Sequence, residues 1–386
     1  MKKATADQLS EEGVDLGEKS NHSIPEVYDK HWEAFISLKN QHDLTWTDVF
    51  SRFYTYRAGL DYIFGAPPDL TKGMQLDLNT AMALSTQWLD AIRQNWDLVH
   101  KHGAITKFLD TDLKNRPVIA VGAGPSLKLR GSVKQIAESK FQQCGGIVIA
   151  TMSGLKPCLE GGVIPDFAIC MDASDLEFPY IDHPLVEKHA KDITLLGGCS
   201  MSPKVLRNWK GDKMGFVSGA VDMYLIPNLD MFLTTLLPEF PVIESGGNTD
   251  TSAITIMACL DVNPIALVGM DRGYPKGFPH DQTMYYQAYL QSVGKDYKDA
   301  QDMISKCYTD YHHPVFGTDF YYDFVFDIFR TSLFTIAKAY HEKFGYKLIN
   351  CTEGGTLHSE DIESMPLQKF LAMVESGEYK NLQHLE

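Results

Sequence analysis

The sequence predicts an α/β fold: a Rossmann-like, mainly parallel sheet with helices on both faces, preceded by an N-terminal helical region and followed by a helical C-terminal segment. Three observations carry this expectation. Short apolar runs recur after Pro117, namely "VIAVG", "GIVIAT", "DFAICMD", "ITLLGG", "GFVSG" and "PIALVGMD". Their hydrophobicity is continuous rather than alternating, as in strands covered on both faces. Most of the runs end in Gly, Ser, Thr or Asp, and helix-patterned segments such as residues 132–141 and 252–260 separate several of them. That alternation is the mark of a parallel sheet.

In chain order, residues 1–24 are polar and are expected to be disordered. Residues 25–115 read as a helical region, with Val27, Trp32, Phe35 and Leu38 at three- and four-residue spacing. The stretch "LDLNTAMALSTQWLDAIRQNWDLVHKHG" continues that pattern. Residues 116–275 are expected to form the Rossmann-like nucleotide-binding domain, whose ligands bind beyond the carboxyl ends of the strands. Residues 276–386 read as helical and aromatic, with Phe320, Phe324, Ile328 and Ser332 on one stripe, and "YHHPVFGTDF" reads as a loop. A late strand within 346–351 should complete the sheet.

A formal charge of -15 over 386 residues argues against a nucleic-acid binder, which needs cationic surface for the phosphates. The local basic patch of Lys128, Arg130 and Lys134 suits one small anion or an ordinary solvated surface. Seven cysteines (144, 158, 170, 199, 259, 307 and 351) show no metal-ligand spacing and fit buried reduced thiols. The opening "MKKATADQLSEEGVDLGEKS" lacks the apolar stretch of a secretory signal, and no run is long enough to span a bilayer. A cytoplasmic protein with neither nucleic-acid nor membrane partners is the expectation.

Candidate chemistry gathers at the strand ends. In "VIAVGAGPSLKLRGS", Gly122 and Gly124 permit close backbone approach, and Pro125, Ser126 and Leu127 open a helix whose amides and hydroxyl suit a phosphate. The pattern is neither G-x-G-x-x-G nor a Walker loop, and a plain strand-to-helix turn would also produce it. "PDFAICMDASD" delivers Asp172 and Asp175, and "PIALVGMDRGYP" delivers Asp271, to the same edge. Carboxylates so placed bind Mg²⁺ or a ribose hydroxyl, or else cap turns. "ESGGNTDTSAITIMACL" sets Gly246, Gly247, Asn248 and Thr249 before a helix, and Thr151 and Ser153 follow another strand. These residues serve either an anion or helix capping. His312 and His313 are candidate general bases, as are Asp271 and Glu353.

Four of these stretches, with the late "YKLINCTEGG", occur in the order seen in one family. The chain, over roughly Pro117 to Gly355, resembles the MptE-like domain of motility-associated factor (Maf) flagellin glycosyltransferases and archaeal 6-hydroxymethylpterin diphosphokinases. The Gly-x-Gly-Pro-Ser-Leu turn is also similar to that of bacterial sialyltransferases, where the loop holds the CMP phosphate. The resemblance implies a nucleotide-dependent transferase acting on a nucleotide or nucleotide-sugar and on an acceptor protein or small molecule. Its Maf side implies a CMP-activated nonulosonic acid as donor, with Asn350 and Thr352 as sugar or acceptor contacts. Its other side implies Mg²⁺-dependent pyrophosphoryl transfer from ATP, with Asp172, Asp175 and Asp271 as metal ligands. A nucleotide-binding protein without transferase activity is a third reading, since a fold alone does not establish chemistry.

Overall fold

The computed structural model describes residues 72–109, 111–221, 237, 239–345 and 347–384, together with isolated positions between 33 and 45. The expected disorder of 1–24 and the stripe through Val27, Trp32, Phe35 and Leu38 lie outside the described residues.

Chain order gives β1 (Val118–Val121), β2 (Ile147–Thr151), β3 (Phe167–Cys170), β4 (Thr194–Gly198) and β5 (Met214–Val217). A short parallel pair follows, β6 (Gly219–Val221) with β7 (Val242–Glu244). Then come β8 (Ile265–Val268), β9 (Tyr274–Pro275), β10 (Tyr308–His312), β11 (Asp319–Asp323), β12 (Leu348–Asn350) and β13 (Ile362–Ser364). Eight of these make one sheet, ordered β13-β12-β8-β1-β2-β3-β4-β5, with every pairing parallel. The α/β, Rossmann-like class expected from the sequence is the fold observed.

Why the strands read as continuous apolar runs is visible in the core, where alternate residues enter opposite layers. Ile119 and Val121 pack on one face with the Met152–Glu160 and Leu367–Ser376 helices and the C-terminal half of Lys72–His102. Val118 and Ala120 pack on the other with the Thr249–Cys259 and Phe324–Phe344 helices. Residues 251–257 of the Thr249–Cys259 helix are all buried. A helix apolar on every side is one with neighbours on every side.

The C-terminal region departs from expectation. Residues 308–323 form a hairpin, β10 with β11, and β9 joins it in an antiparallel three-stranded sheet. Phe320 therefore lies on a strand, not on the helical stripe with Phe324, Ile328 and Ser332. The helix starts at Phe324 because the Asp323 carboxylate caps it, accepting from the Phe326 amide at 2.9 Å. The stretch expected as a loop is the end of β10, the turn and the start of β11. The late strand is present as Leu348–Asn350, and β13 adds a further parallel edge strand beside it.

Candidate functional site

Strand order reverses direction in space between β1 and β8, which places the crevice of the sheet at their carboxyl ends. The glycine turn after β1 lies directly against the turn after β8. The Gly122 amide donates to the Val268 carbonyl at 2.9 Å, and the Gly124 amide to the Gly269 carbonyl at 2.7 Å. A Cβ at Gly122 would stand 2.7 Å from the Gly269 oxygen. Ser126 donates its amide to Asp271 Oδ2 at 3.2 Å and its hydroxyl to Asp271 Oδ1. Asp271 is 2% exposed, and burial pushes its carboxyl up to about 6 against the pull of the Ser126 hydrogen bonds and the Arg130 charge.

These contacts occupy the turn expected to cradle a phosphate, that of Gly122, Gly124, Pro125, Ser126 and Leu127. The amides of Gly122, Gly124 and Ser126 are directed into protein acceptors, the Leu127 amide bonds the Gly124 carbonyl at 3.0 Å, and proline has no N–H to give. The turn packs β1 against β8. Asp271, expected as a base or metal ligand, is the buried acceptor in that contact.

The next residue carries the more open chemistry. Arg272 is 7% exposed and holds a left-handed backbone, φ 49°. Its Nη1 lies 3.1 Å from Asp250 Oδ2, and its Nη2 donates to Asn248 Oδ1 at 2.6 Å and Thr251 Oγ1 at 3.3 Å. Asn248 also caps the Thr249–Cys259 helix, accepting from the Thr251 amide at 3.0 Å, and the Ser252 amide bonds the Asn248 carbonyl at 3.2 Å. Of the four amides that a helix start leaves unpaired, those of Thr249 and Asp250 are the open donors among the described residues. Gly246 and Gly247 turn the chain into this helix with φ of 56° and 75°.

Opposite, the turn after β3 brings Asp172 and Glu177. Asp172 is exposed, and its Oδ1 accepts the Ser174 amide at 2.7 Å. Burial together with the charges of Asp172 and Asp250 pushes the Glu177 carboxyl up to about 7. Tyr285 completes the mouth: its phenol is pushed up to about 12, chiefly by burial and Asp323, and it feels both Arg272 and Asp172. One guanidinium, three carboxyl groups and a tyrosine are thus linked through their charges around the start of the Thr249–Cys259 helix, the mouth of the candidate site.

Other expected residues are engaged elsewhere. Thr151 caps the Met152–Glu160 helix, accepting from the Gly154 amide, and its hydroxyl lies 3.2 Å from that of Ser153. Asp175 accepts from the Ser202 hydroxyl at 2.7 Å. The metal set of Asp172, Asp175 and Asp271 is not assembled, because Asp175 turns to Ser202 and Asp271 to Ser126. Among the described residues no group of three or more His, Cys, Asp or Glu side chains is arranged to hold a metal ion.

Asn350 and Thr352, expected to contact sugar, are buried and bound to backbone. Asn350 donates to the Leu357 carbonyl at 2.8 Å and accepts the Thr352 amide at 2.9 Å, while the Thr352 hydroxyl accepts the Met270 amide at 3.3 Å. Glu353 accepts the Leu367 amide at 2.9 Å and so starts the last helix. His312 sits exposed on β10, 2.9 Å from Asp319. His313 is fully buried, its Nε2 3.1 Å from the Leu357 carbonyl and its Nδ1 accepting from the Val315 and Phe316 amides. None of Glu353, His312 and His313 reaches the mouth as a base. Sequence reasoning missed Arg272, Glu177, Asp250 and Tyr285. Only Arg272 carried a signal, a cation next to a strand-end aspartate.

The model of one family, described as 6-hydroxymethylpterin diphosphokinase MptE-like, matches residues 90–277. No curated protein matches the chain. Among solved structures, that of a Maf glycosyltransferase from Magnetospirillum magneticum AMB-1 is similar at 17% identity and a TM-score of 0.48. The similarity covers 70% of this chain and 38% of that one, so the chain spans little more than a third of that protein's length. No helix among the described residues is long and apolar enough to cross a membrane. Over residues 90–277, just under half of its length, the chain is thus similar to the MptE-like family.

Proposed function

We propose that the protein is a nucleotide-dependent transferase, a Maf-like glycosyltransferase that moves a CMP-activated nonulosonic acid to an acceptor hydroxyl. The observation that carries this reading is the buried Arg272 guanidinium held on Asp250, Asn248 and Thr251 at the start of the Thr249–Cys259 helix, with the Glu177 carboxyl, pushed up to about 7, feeling the charge of Asp250. A group that titrates near neutrality exchanges protons efficiently in both directions. Positive donors fixed in a half-dry mouth stabilise a departing phosphate.

In the reaction, the bond from the sugar's anomeric carbon to the phosphate oxygen breaks, and the acceptor oxygen bonds to that carbon. Arg272 and the helix amides hold the charge left on the phosphate. Protonated Glu177 hands its proton to the leaving phosphate oxygen, and the solvent-facing carboxylate of Asp172 takes the acceptor's proton. Tyr285 forms the wall against which the donor packs. Because no set of carboxylates at the mouth fits a metal ion, no step is assigned to one.

A second reading rests on the matched family description, which names a pterin diphosphokinase. The deciding experiment incubates the protein with CMP-nonulosonic acid and, separately, with ATP plus hydroxymethyldihydropterin, following CMP and AMP release with and without Mg²⁺. CMP release that depends on acceptor supports the glycosyltransferase. Pterin-dependent AMP release without CMP-sugar turnover replaces it with the diphosphokinase.

A further inference from the structure

Asp172 is exposed, and an exposed carboxylate swings among rotamers unless something holds it. What holds it starts on the Lys72–His102 helix. Gln87 Nε2 donates to the Ala173 carbonyl, in the turn after β3, at 3.0 Å. The peptide group that carries this carbonyl also carries the Ser174 N–H, which donates to Asp172 Oδ1 at 2.7 Å. A peptide group is a rigid plane. A bond that fixes its oxygen therefore fixes the direction of its hydrogen, and with it the carboxylate that the hydrogen holds. About two turns further along the same helix, the buried Asn95 donates Nδ2 to the Cys199 and Met201 carbonyls, at 3.1 Å and 2.8 Å. That fastens the turn after β4, whose Ser202 amide donates to the Asp172 carbonyl at 2.8 Å and whose Ser202 hydroxyl donates to Asp175 Oδ1 at 2.7 Å. One helix thus holds the Asp172 turn both directly and through its neighbour.

From this relay we propose that Gln87 is a positioning residue of the transfer reaction: through the peptide that joins Ala173 to Ser174, it aims the Asp172 carboxylate at the acceptor hydroxyl. The inference rests on reading Asp172 as the group that takes the acceptor's proton, and it gives the N-terminal helix a share in the site. Gln87 moves no proton itself. Holding a catalytic group in its reactive direction raises the rate of the chemical step. Loss of the Gln87 amide therefore lowers kcat and spares the binding of the CMP-sugar, which rests on Arg272. One neutral hydrogen bond sets the scale of the loss at about fivefold.

The test is Gln87→Met in the full chain, a side chain of similar reach with no N–H to give. Its kcat for acceptor-dependent CMP release should fall about fivefold with KM for the CMP-sugar unchanged. Gln87→Lys, which restores a donor, should recover most of that loss. In an Asp172→Ala background, Gln87→Met should lower the residual kcat no further, because the group it aims is gone. Amide hydrogen exchange gives a readout independent of turnover. Ser174 should exchange about fivefold faster in Gln87→Met, while the strand Phe167–Cys170 exchanges as before. Equal losses of kcat in both backgrounds, or a raised KM with kcat unchanged, would overturn the proposal. Faster Ser174 exchange in a protein that turns over no CMP-sugar would refute the transferase reading and leave the grip of Gln87 on Asp172 standing. Turnover with kcat and Ser174 exchange both unmoved by Gln87→Met would do the reverse.

Discussion

Replacing Gly124 by alanine separates a packing role for the glycine turn from a ligand-binding one. Gly124 has φ −62° and ψ 160°, comfortable for any L-residue, so alanine there carries no backbone penalty. The cost is steric. A Cβ would stand 2.1 Å from Asp271 Oδ2 and 2.7 Å from the Gly269 oxygen, one of them a side chain and the other backbone in the turn after β8. The carboxylate must swing aside, and its bonds to the Ser126 amide and hydroxyl suffer. Losing one hydrogen bond to a charged group costs about 1.5–3 kcal/mol, and overpacking adds about 1–3 kcal/mol. The expected destabilisation is therefore about 3–5 kcal/mol. With a urea dependence of about 3 kcal/mol per molar, the unfolding midpoint falls by about 1–1.7 M. In an Asp271→Ala background the nearest clashing atoms are gone, so the same glycine substitution should cost about 2 kcal/mol less, a coupling that a double-mutant cycle reads directly. An alanine variant that unfolds at the wild-type midpoint but loses CMP affinity would refute this account and return the turn to the ligand.

Asn350→Ala should destabilise by about 1–3 kcal/mol, since it orphans the Thr352 amide and leaves the Leu357 carbonyl only its His313 partner, and should leave KM for donor and acceptor unchanged. A changed KM with unchanged stability would restore the sugar contact. His313 is held below its ordinary 6.5 by burial, with His358 and His312 adding to the effect. Its contribution to stability is thus present above pH 6.5 and lost as the pH falls through the folded value. Urea midpoints between pH 7.5 and pH 5 should decline less steeply in His313→Gln, and identical slopes would remove the histidine from the pH response. For Glu177, a general acid at about 7 makes kcat fall as pH rises through neutrality. Glu177→Gln should lower kcat and erase that inflection, and an inflection that persists assigns it to another group.

The strands of the sheet were legible because burial on both faces leaves an unbroken apolar run, as in Val118–Val121 and Ile265–Val268. The hairpin was not, because β11 and the helix after it are equally aromatic and only the cap at Asp323 separates them. Gly317, with φ 62°, was the available sign of a turn. At the site, the strand ends of β1, β3 and β8 were readable as an edge, and Asn248 lies at the helix start where it accepts from Arg272. The uses of Gly124, Asn350 and Glu353 were hidden, since each is set by a partner remote in sequence: Asp271, Leu357 and Leu367 respectively. Glu177 was invisible for the same reason. Its character comes from burial, from nearby Asp172 and from Asp250, the last supplied by another layer of the fold.

The strand order has a consequence for how the molecule comes into being. β1 to β5 are laid down side by side from one contiguous stretch of chain, whereas β8, β12 and β13 arrive on the other flank of β1 only after the intervening residues have been made. On a ribosome, the first half can assemble while the second does not yet exist, and β1 waits with one edge bare. Ser126 and Asp271 are the stitch across that join. Asp172 and Glu177 belong to the early half, and Asp250 and Arg272 to the late one. The grouping of Asp172 and Glu177 with Asp250 and Arg272 therefore exists only once the join has closed.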